Sequence, residues 1–501
     1  MNYLMGIDAG TTAVKLIIID ERGKTLSSET QEYPLFTPKT GWAEQNPSDW
    51  RDAVIRGIKN ILEKSKAPAG AVRAIGLTGQ MHGSVFLNSE NRVIHPAILW
   101  CDQRTAKECG DITAAVGKSR IFEITCNPVL TGFQAPKILW LRNNNPGVYR
   151  QVAKVLLPKD YIRFILTGEF ATDVSDASGT SLFDVVKRRW SDEILEKLDI
   201  PRSFLPECSE STEITGRVTK EAAGITGLKA GTPVAAGAGD QAAGAVGSGI
   251  VEKGLVSVSL GTSGVIFAHS DDVFVDPKGR LHTFCHAVPG KWHLMGVMLS
   301  AGGSLRWLRN TLFSETENYN TLTAMAEKTA PGSEGLLFLP YLTGERCPYP
   351  DPDARGIFFG LSLKHKKEHL VRAVMEGVSF GLKDSVEIMK DIGVPVGKRF
   401  RISGGGGKSG LWCQMIADIF NGDAVRLAFE EGPSYGAAIL AGTGAGMYPG
   451  VRQACRELIK EDRQVFRPDA AKNGVYNKFY ALYNSLYGAL EGQFDKLAEI
   501  S

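Results

Sequence analysis

The chain has 501 residues, more than a single hydrophobic core usually supports, so two or more domains are expected. Its 57 Lys and Arg nearly balance 55 Asp and Glu, which gives no electrostatic sign of a nucleic-acid or anionic-lipid partner. No apolar run approaches the ~20 residues of a membrane span, and residues 1–10 lack the pattern of a secretory signal. A cytoplasmic protein is therefore expected.

The first twenty residues form a strand–turn–strand pattern. Residues 3–7 and 14–19 are apolar, and the turn between them contains Gly10, Thr11 and Thr12. Such a turn offers backbone N–H groups and hydroxyls to phosphate oxygens, and glycine permits their close approach. Asp8 stands just before the turn, where a carboxylate would be useful if Mg²⁺ lay between it and a phosphate. The structural alternative is an Asp that caps the turn.

A helix and two strands are predicted next. Residues 48–64 have helical periodicity, and residues 72–77 and 85–87 resemble strands around the loop TGQMHG. In that loop Gln80, Met81 and His82 provide groups suited to a polyol. Taken alone, a histidine such as His82 is more often structural than a ligand contact.

Asp240 lies in the segment GAGDQAAGAVG, between small residues on both sides. A carboxylate in such surroundings can be approached closely by a substrate hydroxyl and can accept its proton during attack on phosphorus. The structural alternative is an N-cap of the helix that begins near Gln241, because capping Asp residues are common.

Residues 255–268 repeat the first pattern at half the chain length. Gly261, Thr262 and Ser263 occupy the turn, as Gly10, Thr11 and Thr12 do in the first copy. A repeat of this size predicts two similar domains facing each other. We place them at 1–248 and 249–501, in an α/β protein in which strands and helices alternate.

The last informative segment is a glycine run. Residues 369–388 and 412–420 are predicted helices and 399–402 a strand that leads into Gly404, Gly405, Gly406 and Gly407. The run resembles a P-loop, but the required first glycine is Ile402, so a P-loop fold is disfavoured. A glycine run between strand and helix can instead line a nucleotide base and ribose.

Together these features resemble the FGGY family of carbohydrate kinases over nearly the whole chain. The segments that carry the resemblance are Gly356–Leu361 (GIFFGL), His369-Leu370, Ala373–Glu376 (AVME) and Pro136–Leu141 (PKILWL). The resemblance implies two actin-like, ribonuclease-H-like domains that flank a catalytic cleft.

The resemblance also implies roles for particular residues. Asp240 falls on the catalytic base and Asp8 on the acidic residue that acts with it and with Mg²⁺. Met81 and His82 fall on the sugar-contacting pair, beside Gln80 and Asp102. The ATP site implied by the resemblance comprises Gly10, Thr11, Thr12, Lys15, Gly261, Thr262, Ser263, Gly302, Gly404, Gly405, Gly406, Gly407 and Ser409.

The expected activity is ATP-dependent phosphorylation of D-xylulose, because TGQMHG and ILWCDQRT are similar to family members that use this ketose. Ribulose or glycerol is the alternative acceptor, and Gln241 after Asp240 is closer to the glycerol kinases. An actin- or chaperone-like ATPase without a sugar substrate is an alternative of another class, and a sugar-sensing regulator is a third. A homodimer is what relatives suggest.

Overall fold

The protein is described by a computed structural model that covers residues 2–429 and 431–500. The strands of the first half are Tyr3–Ala9 (β1), Ala13–Asp20 (β2), Thr25–Glu32 (β3), Glu44–Gln45 (β4), Val72–Gly79 (β5), Val85–Leu87 (β6), Ala97–Ile98 (β7), Lys154–Leu156 (β8), Ala171–Asp173 (β9), Phe183–Asp184 (β10), Arg189–Trp190 (β11), Glu207–Ser209 (β12), Ile214–Arg217 (β13), Pro233–Ala235 (β14) and Ala238–Gly239 (β15). Its helices are Pro47–Ser65 (α1), Ala106–Val116 (α2), Lys118–Thr125 (α3), Gln134–Asn144 (α4), Pro146–Tyr149 (α5), Pro158–Thr167 (α6), Val174–Ala177 (α7), Asp192–Lys197 (α8), Lys220–Thr226 (α9) and Asp240–Gly247 (α10).

The second half continues the same alternation. Its strands are Gly254–Leu260 (β16), Gly264–Ser270 (β17), His282–Cys285 (β18), Trp292–Met298 (β19), Leu337–Leu339 (β20), Ile357–Phe359 (β21), Val396–Ser403 (β22), Asp423–Leu427 (β23) and Glu461–Phe466 (β24). Its helices are Gly302–Leu312 (α11), Tyr319–Glu327 (α12), Lys367–Asp391 (α13), Gly410–Phe420 (α14), Pro433–Gly444 (α15), Val451–Leu458 (α16) and Ala470–Ile500 (α17). Short 3₁₀ turns lie at Ala69–Ala71, Ser178–Thr180, Arg202–Phe204, Ser333–Gly335 and Gly405–Lys408.

Each half contains one large mixed sheet with the same strand arrangement. In the first sheet the order β3-β2-β1-β5-β14 places an antiparallel hairpin beside two parallel strands. In the second sheet the order β19-β17-β16-β22-β23 repeats that arrangement. The predicted repeat of two similar α/β units is therefore confirmed, and both glycine turns join the first two strands of their sheets.

The sequence periodicities correspond to real elements with shifts of a few residues. The helix predicted over 48–64 is α1, and its apolar stripe, including Trp50, Val54 and Ile58, is buried. The helix predicted over 369–388 is α13, which runs through the core of the second half. No helix among the described residues is long and apolar enough to cross a membrane.

Helix α15 lies in sequence between β23 and β24 of the second sheet, but it packs on β1 and β5 of the first sheet and on α10. Glycine makes this close approach possible. A Cβ on Gly436 would lie 1.8 Å from the carbonyl oxygen of Ala243, and a Cβ on Gly76 would lie 1.8 Å from that of Ala437. The two halves are thus joined by backbone-to-backbone packing, and the predicted division at residue 248 stays a prediction.

Candidate active site

Two carboxylates, those of Asp8 and Asp240, lie close enough to interact electrostatically. Asp8 is in β1, where it pairs with Lys15 of β2, and Asp240 is the first residue of α10. Burial, then the Asp240 carboxylate, raises the pKa of Asp8 to about 7, while Lys15 lowers it. Burial raises the pKa of Asp240 to about 6, against the backbone N–H of Gln241. Such paired, shifted carboxyls are typical of sites that move protons or bind cations.

Asp240 is not the N-cap considered from the sequence. The N-cap of α10 is Gly239, and no side chain accepts a capping hydrogen bond there. The carboxylate is therefore available for another role. Similarly, the Oδ1 atom of Asp8 is buried and has no hydrogen-bond partner among the described residues. A buried carboxylate oxygen without a partner is costly, and a cation is one group that would satisfy it.

The loop that contains Met81 and His82 lies directly beside the strand that leads to Asp240. Strand β15 pairs with the end of β5, with Gly239 opposite Gly79. A Cβ on Gly239 would lie 2.8 Å from Met81 Cγ, so the thioether packs against the glycine that precedes Asp240. The predicted sugar loop and the predicted base are thus neighbours at the carboxyl ends of β5 and β15.

His82 is held in a single orientation. Its backbone has φ of 67°, its Nδ1 lies 2.7 Å from the carbonyl oxygen of Gly179, and its ring stacks on Phe133 at 4.6 Å. Since a carbonyl only accepts, Nδ1 carries the proton and Nε2 is an acceptor. Burial lowers the pKa of His82 to about 3, so the imidazole is neutral and can accept a hydrogen bond from a hydroxyl.

Lys137 supports this loop, and it was not among the predicted site residues. Its Nζ donates to the carbonyl oxygens of His82 at 2.8 Å and Gly132 at 2.5 Å. Burial lowers the pKa of Lys137 to about 7, although Asp102 opposes the shift. Lys137 lies in the segment PKILWL, which carries part of the family resemblance. Its contact with His82 could not be predicted, because the two residues come together only in the folded chain.

Gln80 and Asp102 have side chains engaged in anchoring neighbouring segments. Gln80 Nε2 donates to Gln45 Oε1 at 3.0 Å and to the Gly10 carbonyl at 3.3 Å, which ties the first turn to the sugar loop. Asp102 accepts from the Ala43 N–H at 2.6 Å and from Arg104 Nη2 at 2.7 Å. Direct contact of either side chain with a sugar stays a prediction.

Two tryptophans, Trp42 and Trp100, make contacts near the segment that contains Asp102. Arg104 lies over Trp42, 3.6 Å from its ring centroid, and pairs with Glu44 at 2.7 Å. The exposed Trp100 indole then donates to Thr11 Oγ1 at 2.9 Å. Trp100 was not among the predicted site residues, although it lies within the ILWCDQRT segment.

The second half contains a cavity of about 550 Å³, and six of the thirteen predicted nucleotide residues line it. Those lining it are Gly261, Thr262, Gly302, Gly405, Gly406 and Ser409. Residues not predicted from the sequence also line it, among them Arg306, Asn318, Tyr319, Lys408 and Trp412. Of these, Lys408 was visible beside the glycine run, whereas Asn318 and Tyr319 belong to a segment without a recognisable motif.

The other predicted nucleotide residues lie elsewhere. Gly404 and Asp240 line a smaller cavity of about 250 Å³ between the halves. Gly407 is buried beneath the large cavity, and Ser263 is exposed at the tip of its turn. Gly10, Thr11 and Thr12 form the first turn, and Lys15 Nζ pairs across the cleft with the Glu431 carboxylate at 3.0 Å. The roles of these residues in ATP binding stay predictions.

Comparison with known proteins places this geometry in a family. Residues 3–247 match the N-terminal domain of the FGGY family of carbohydrate kinases, and residues 256–445 match its C-terminal domain. A xylulose kinase of Lactococcus lactis is 41% identical over 97% of both chains.

Two solved structures have the same fold over nearly the whole chain. The structure of a xylulose kinase from Brucella ovis is 36% identical, with a TM-score of 0.92 over 98% of this chain and 100% of that chain. A gluconate kinase from Lactobacillus acidophilus is 30% identical, with a TM-score of 0.93 over 99% of both chains. The predicted two-domain, actin-like fold is therefore confirmed.

Proposed function

Since the chain belongs to the FGGY family of carbohydrate kinases, we propose that it transfers the terminal phosphoryl group of ATP to O5 of D-xylulose. The products would be D-xylulose 5-phosphate and ADP. Support comes from the similarity over nearly the full chain to proteins described as xylulose kinases. The protein is thus a carbohydrate kinase for which a ketose is the proposed acceptor.

One observation carries the proposal most directly: Asp240 borders both of the required binding regions. On one side the preceding Gly239 packs on Met81 of the sugar loop. On the other side Asp240 shares a cavity with Gly404 and Ser259 of the second sheet. A base at that position lies between an acceptor hydroxyl and a nucleotide, as in-line phosphoryl transfer requires.

The proposed chemistry uses Asp240 as general base. The carboxylate accepts the proton of the O5 hydroxyl as that oxygen attacks the γ-phosphorus, and the bond between this phosphorus and the β,γ-bridging oxygen breaks to release ADP. With its pKa raised to about 6, Asp240 is still mostly ionised near neutral pH and is a stronger base than an exposed Asp. His82 Nε2 would accept a hydrogen bond from another sugar hydroxyl and fix the orientation of the ketose.

Asp8 fits a Mg²⁺ ion that would accompany ATP. Its partnerless Oδ1 atom supports this assignment, since Mg²⁺ commonly uses one carboxylate together with phosphates and waters. When bound, the ion would neutralise negative charge on the phosphates. The turn at Gly10–Thr12 would donate N–H groups to the same phosphates, and Lys15 would exchange its Glu431 partner for them.

These positions suggest which half of the chain binds each substrate. We assign the acceptor, the base and the first phosphate turn to residues 1–248, and the remaining nucleotide contacts to residues 249–501. Closure of the cleft would exclude water, which otherwise competes with the sugar as acceptor. A cytoplasmic location and a homodimer are also part of the proposal.

The experiment that tests this function is ATP turnover, measured by ADP release, against a panel of sugars and polyols. We expect strong stimulation by D-xylulose and weak stimulation by D-ribulose, glycerol and gluconate. A preference for gluconate or glycerol would keep the kinase and overturn the ketose. Sugar-independent hydrolysis alone would favour an actin-like ATPase.

A further inference from the structure

Behind Asp240 lies a group of buried charges that the proposed reaction does not use. Its members are Lys159, Asp160, Arg163, Asp173 and Asp176, and all five side chains have no solvent exposure. Lys159 Nζ lies 2.6 Å from Asp160, 3.0 Å from Asp173 and 3.5 Å from Asp176. Burying so many charges is costly and is poor evidence of added stability, so the group calls for a functional explanation.

Two contacts connect this buried group with the segment that leads into Asp240. Arg163 Nη2 donates to the carbonyl oxygen of Ala236. Ser175 Oγ accepts from the N–H of Gly239 at 3.1 Å and donates to Asp173 Oδ2 at 2.6 Å. The segment is therefore held at both ends of residues 236–239.

Asp173 fixes the orientation of Ser175. Asp173 caps α7 and accepts from the Ser175 N–H at 2.8 Å, so both the backbone and the hydroxyl of Ser175 are oriented by one carboxylate. Asp173 is in turn held by Lys159 at 3.0 Å. A chain of hydrogen-bonded and ionic contacts thus runs from Lys159 through Asp173 and Ser175 to Gly239.

This series of contacts ends at Gly239, where a small displacement of the backbone would have a large effect on Asp240. Gly239 is both the N-cap of α10, which begins at Asp240, and the surface against which Met81 packs. Its N–H donates to the hydroxyl of Ser175, a side chain from a separate element, at 3.1 Å. Movement of Gly239 would shift the carboxylate relative to a sugar held by the neighbouring loop.

We propose that Ser175, oriented by Asp173 and Lys159, is a positioning residue that sets the location of the Asp240 carboxylate for proton transfer. It touches neither sugar nor nucleotide and acts through the Gly239 N–H. This inference rests on the proposed kinase function, because it assigns Ser175 a role in the step that Asp240 performs. A misplacement of about 1 Å in such a group can lower the rate about a hundredfold.

The test is the Ser175→Ala variant, compared with Ser211→Ala. Ser211 Oγ donates to the same Asp173 Oδ2 atom at 2.9 Å, but its hydroxyl does not bond to Gly239, so it is a matched control. We expect Ser175→Ala to lower kcat about thirtyfold to a hundredfold with D-xylulose and ATP KM values within threefold of wild type. Ser211→Ala should keep kcat within about threefold.

A double variant separates positioning from simple loss of folding. In an Asp240→Asn background the base is absent, so adding Ser175→Ala should leave the residual rate unchanged if Ser175 acts only through Asp240. A further fall in the residual rate, or equal losses in Ser175→Ala and Ser211→Ala, would overturn the proposal. If Ser175→Ala does not fold, Ser175→Cys, which retains only a weak acceptor, is measured in its place: it should lower kcat with both KM values near those of wild type, and a kcat equal to wild type would overturn the proposal.

Failure of this inference can be told apart from failure of the proposed function. If wild-type protein phosphorylates D-xylulose and Ser175→Ala has the same kcat, only the positioning role is wrong. If the wild-type protein uses a different sugar, the same comparison of kcat is made with that sugar and the predicted ratio is unchanged. If wild-type protein phosphorylates no sugar, the kinase assignment is wrong and the positioning role falls with it.

Discussion

The two glycine–threonine turns have similar sequences and equivalent places in their sheets, but they are held by different groups. In the first turn two carbonyls accept from side chains: the Gly10 carbonyl accepts from Tyr33 at 2.5 Å and the Thr11 carbonyl from Gln45 at 2.7 Å. The Thr12 carbonyl accepts from the Tyr33 N–H at 3.2 Å. Backbone fixes the second: the Gly261 and Thr262 carbonyls accept from N–H groups of Gly302 and Gly303 at 2.8 and 3.0 Å.

This difference supports the proposed specialisation of the halves. Gln80 joins the first turn to the sugar loop, so the turn, the acceptor region and Asp240 form one connected unit. Around the second turn, backbone contacts with the start of α11 leave the side chains clear, and a cavity of about 550 Å³ remains. In the proposed function, one repeated fold provides an acceptor half, residues 1–248, and a nucleotide half, residues 249–501.

The largest expected effect comes from Asp240→Asn, which removes the base from the acceptor half. We expect kcat to fall by roughly a thousandfold or more, since general-base catalysis contributes ~10²–10⁴ and water is a poor replacement. Binding of D-xylulose and of ATP, measured by calorimetry, should stay within a few fold. Turnover near that of wild type would show that another group accepts the proton.

The next effect concerns the contact that joins the halves. Gly436→Ala should destabilise the protein by roughly 3 kcal/mol or more, because its Cβ would lie 1.8 Å from the Ala243 carbonyl oxygen in a backbone contact that cannot yield easily. Thermal or urea unfolding measures this loss.

The matched control for that variant is Gly488→Ala in α17. A Cβ there meets no atom within 4 Å. This substitution should stabilise the protein by about 0.5–1 kcal/mol through helix propensity. Equal unfolding midpoints for the two variants would contradict the close packing of α15 on the first half.

A smaller effect is expected from His82→Ala in the acceptor half. Losing the Nε2 acceptor and the stack on Phe133 should raise the D-xylulose KM about tenfold to a hundredfold, with the ATP KM unchanged. Steady-state kinetics with each substrate varied in turn measures the two values. His95→Ala, at a half-buried site in the same half, is the control. A selective change in the ATP KM of His82→Ala would reverse the assignment of the halves.

The smallest effect is expected from Gly405→Ala in the nucleotide half. A Cβ there has no protein atom within 4 Å, so stability should not change, yet the residue lines the 550 Å³ cavity. The ATP KM should rise about threefold to tenfold while the D-xylulose KM stays constant. An unchanged ATP KM at unchanged stability would show that the nucleotide does not approach this glycine.

Local patterns in the sequence were sufficient for much of the fold. The turns at Gly10 and Gly261 stand between apolar runs, and the apolar stripe around Trp50 has helical spacing, so their structures follow from short-range rules. Resemblance to a family, rather than spacing, singled out Asp240, because its local sequence also suits a helix cap.

Tertiary contacts could not be predicted in this way. Ser175 lies 64 positions from Gly239, and Arg163 lies 73 positions from Ala236. Neither stands in a pattern that points to the other. The packing of α15 on the first sheet could not be predicted either. The sequence does not distinguish a glycine that is needed for close helix packing, such as Gly436, from a glycine in a turn. Long-range burial, rather than local propensity, decides these contacts.

The most direct test of the central claim is identification of the product by ³¹P NMR after incubation of the wild-type protein with ATP, Mg²⁺ and D-xylulose. We expect one phosphomonoester, on O5 of the ketose, in amounts equal to the ADP formed. Inorganic phosphate and ADP without a sugar phosphate would contradict a sugar kinase that positions its acceptor between His82 and Asp240.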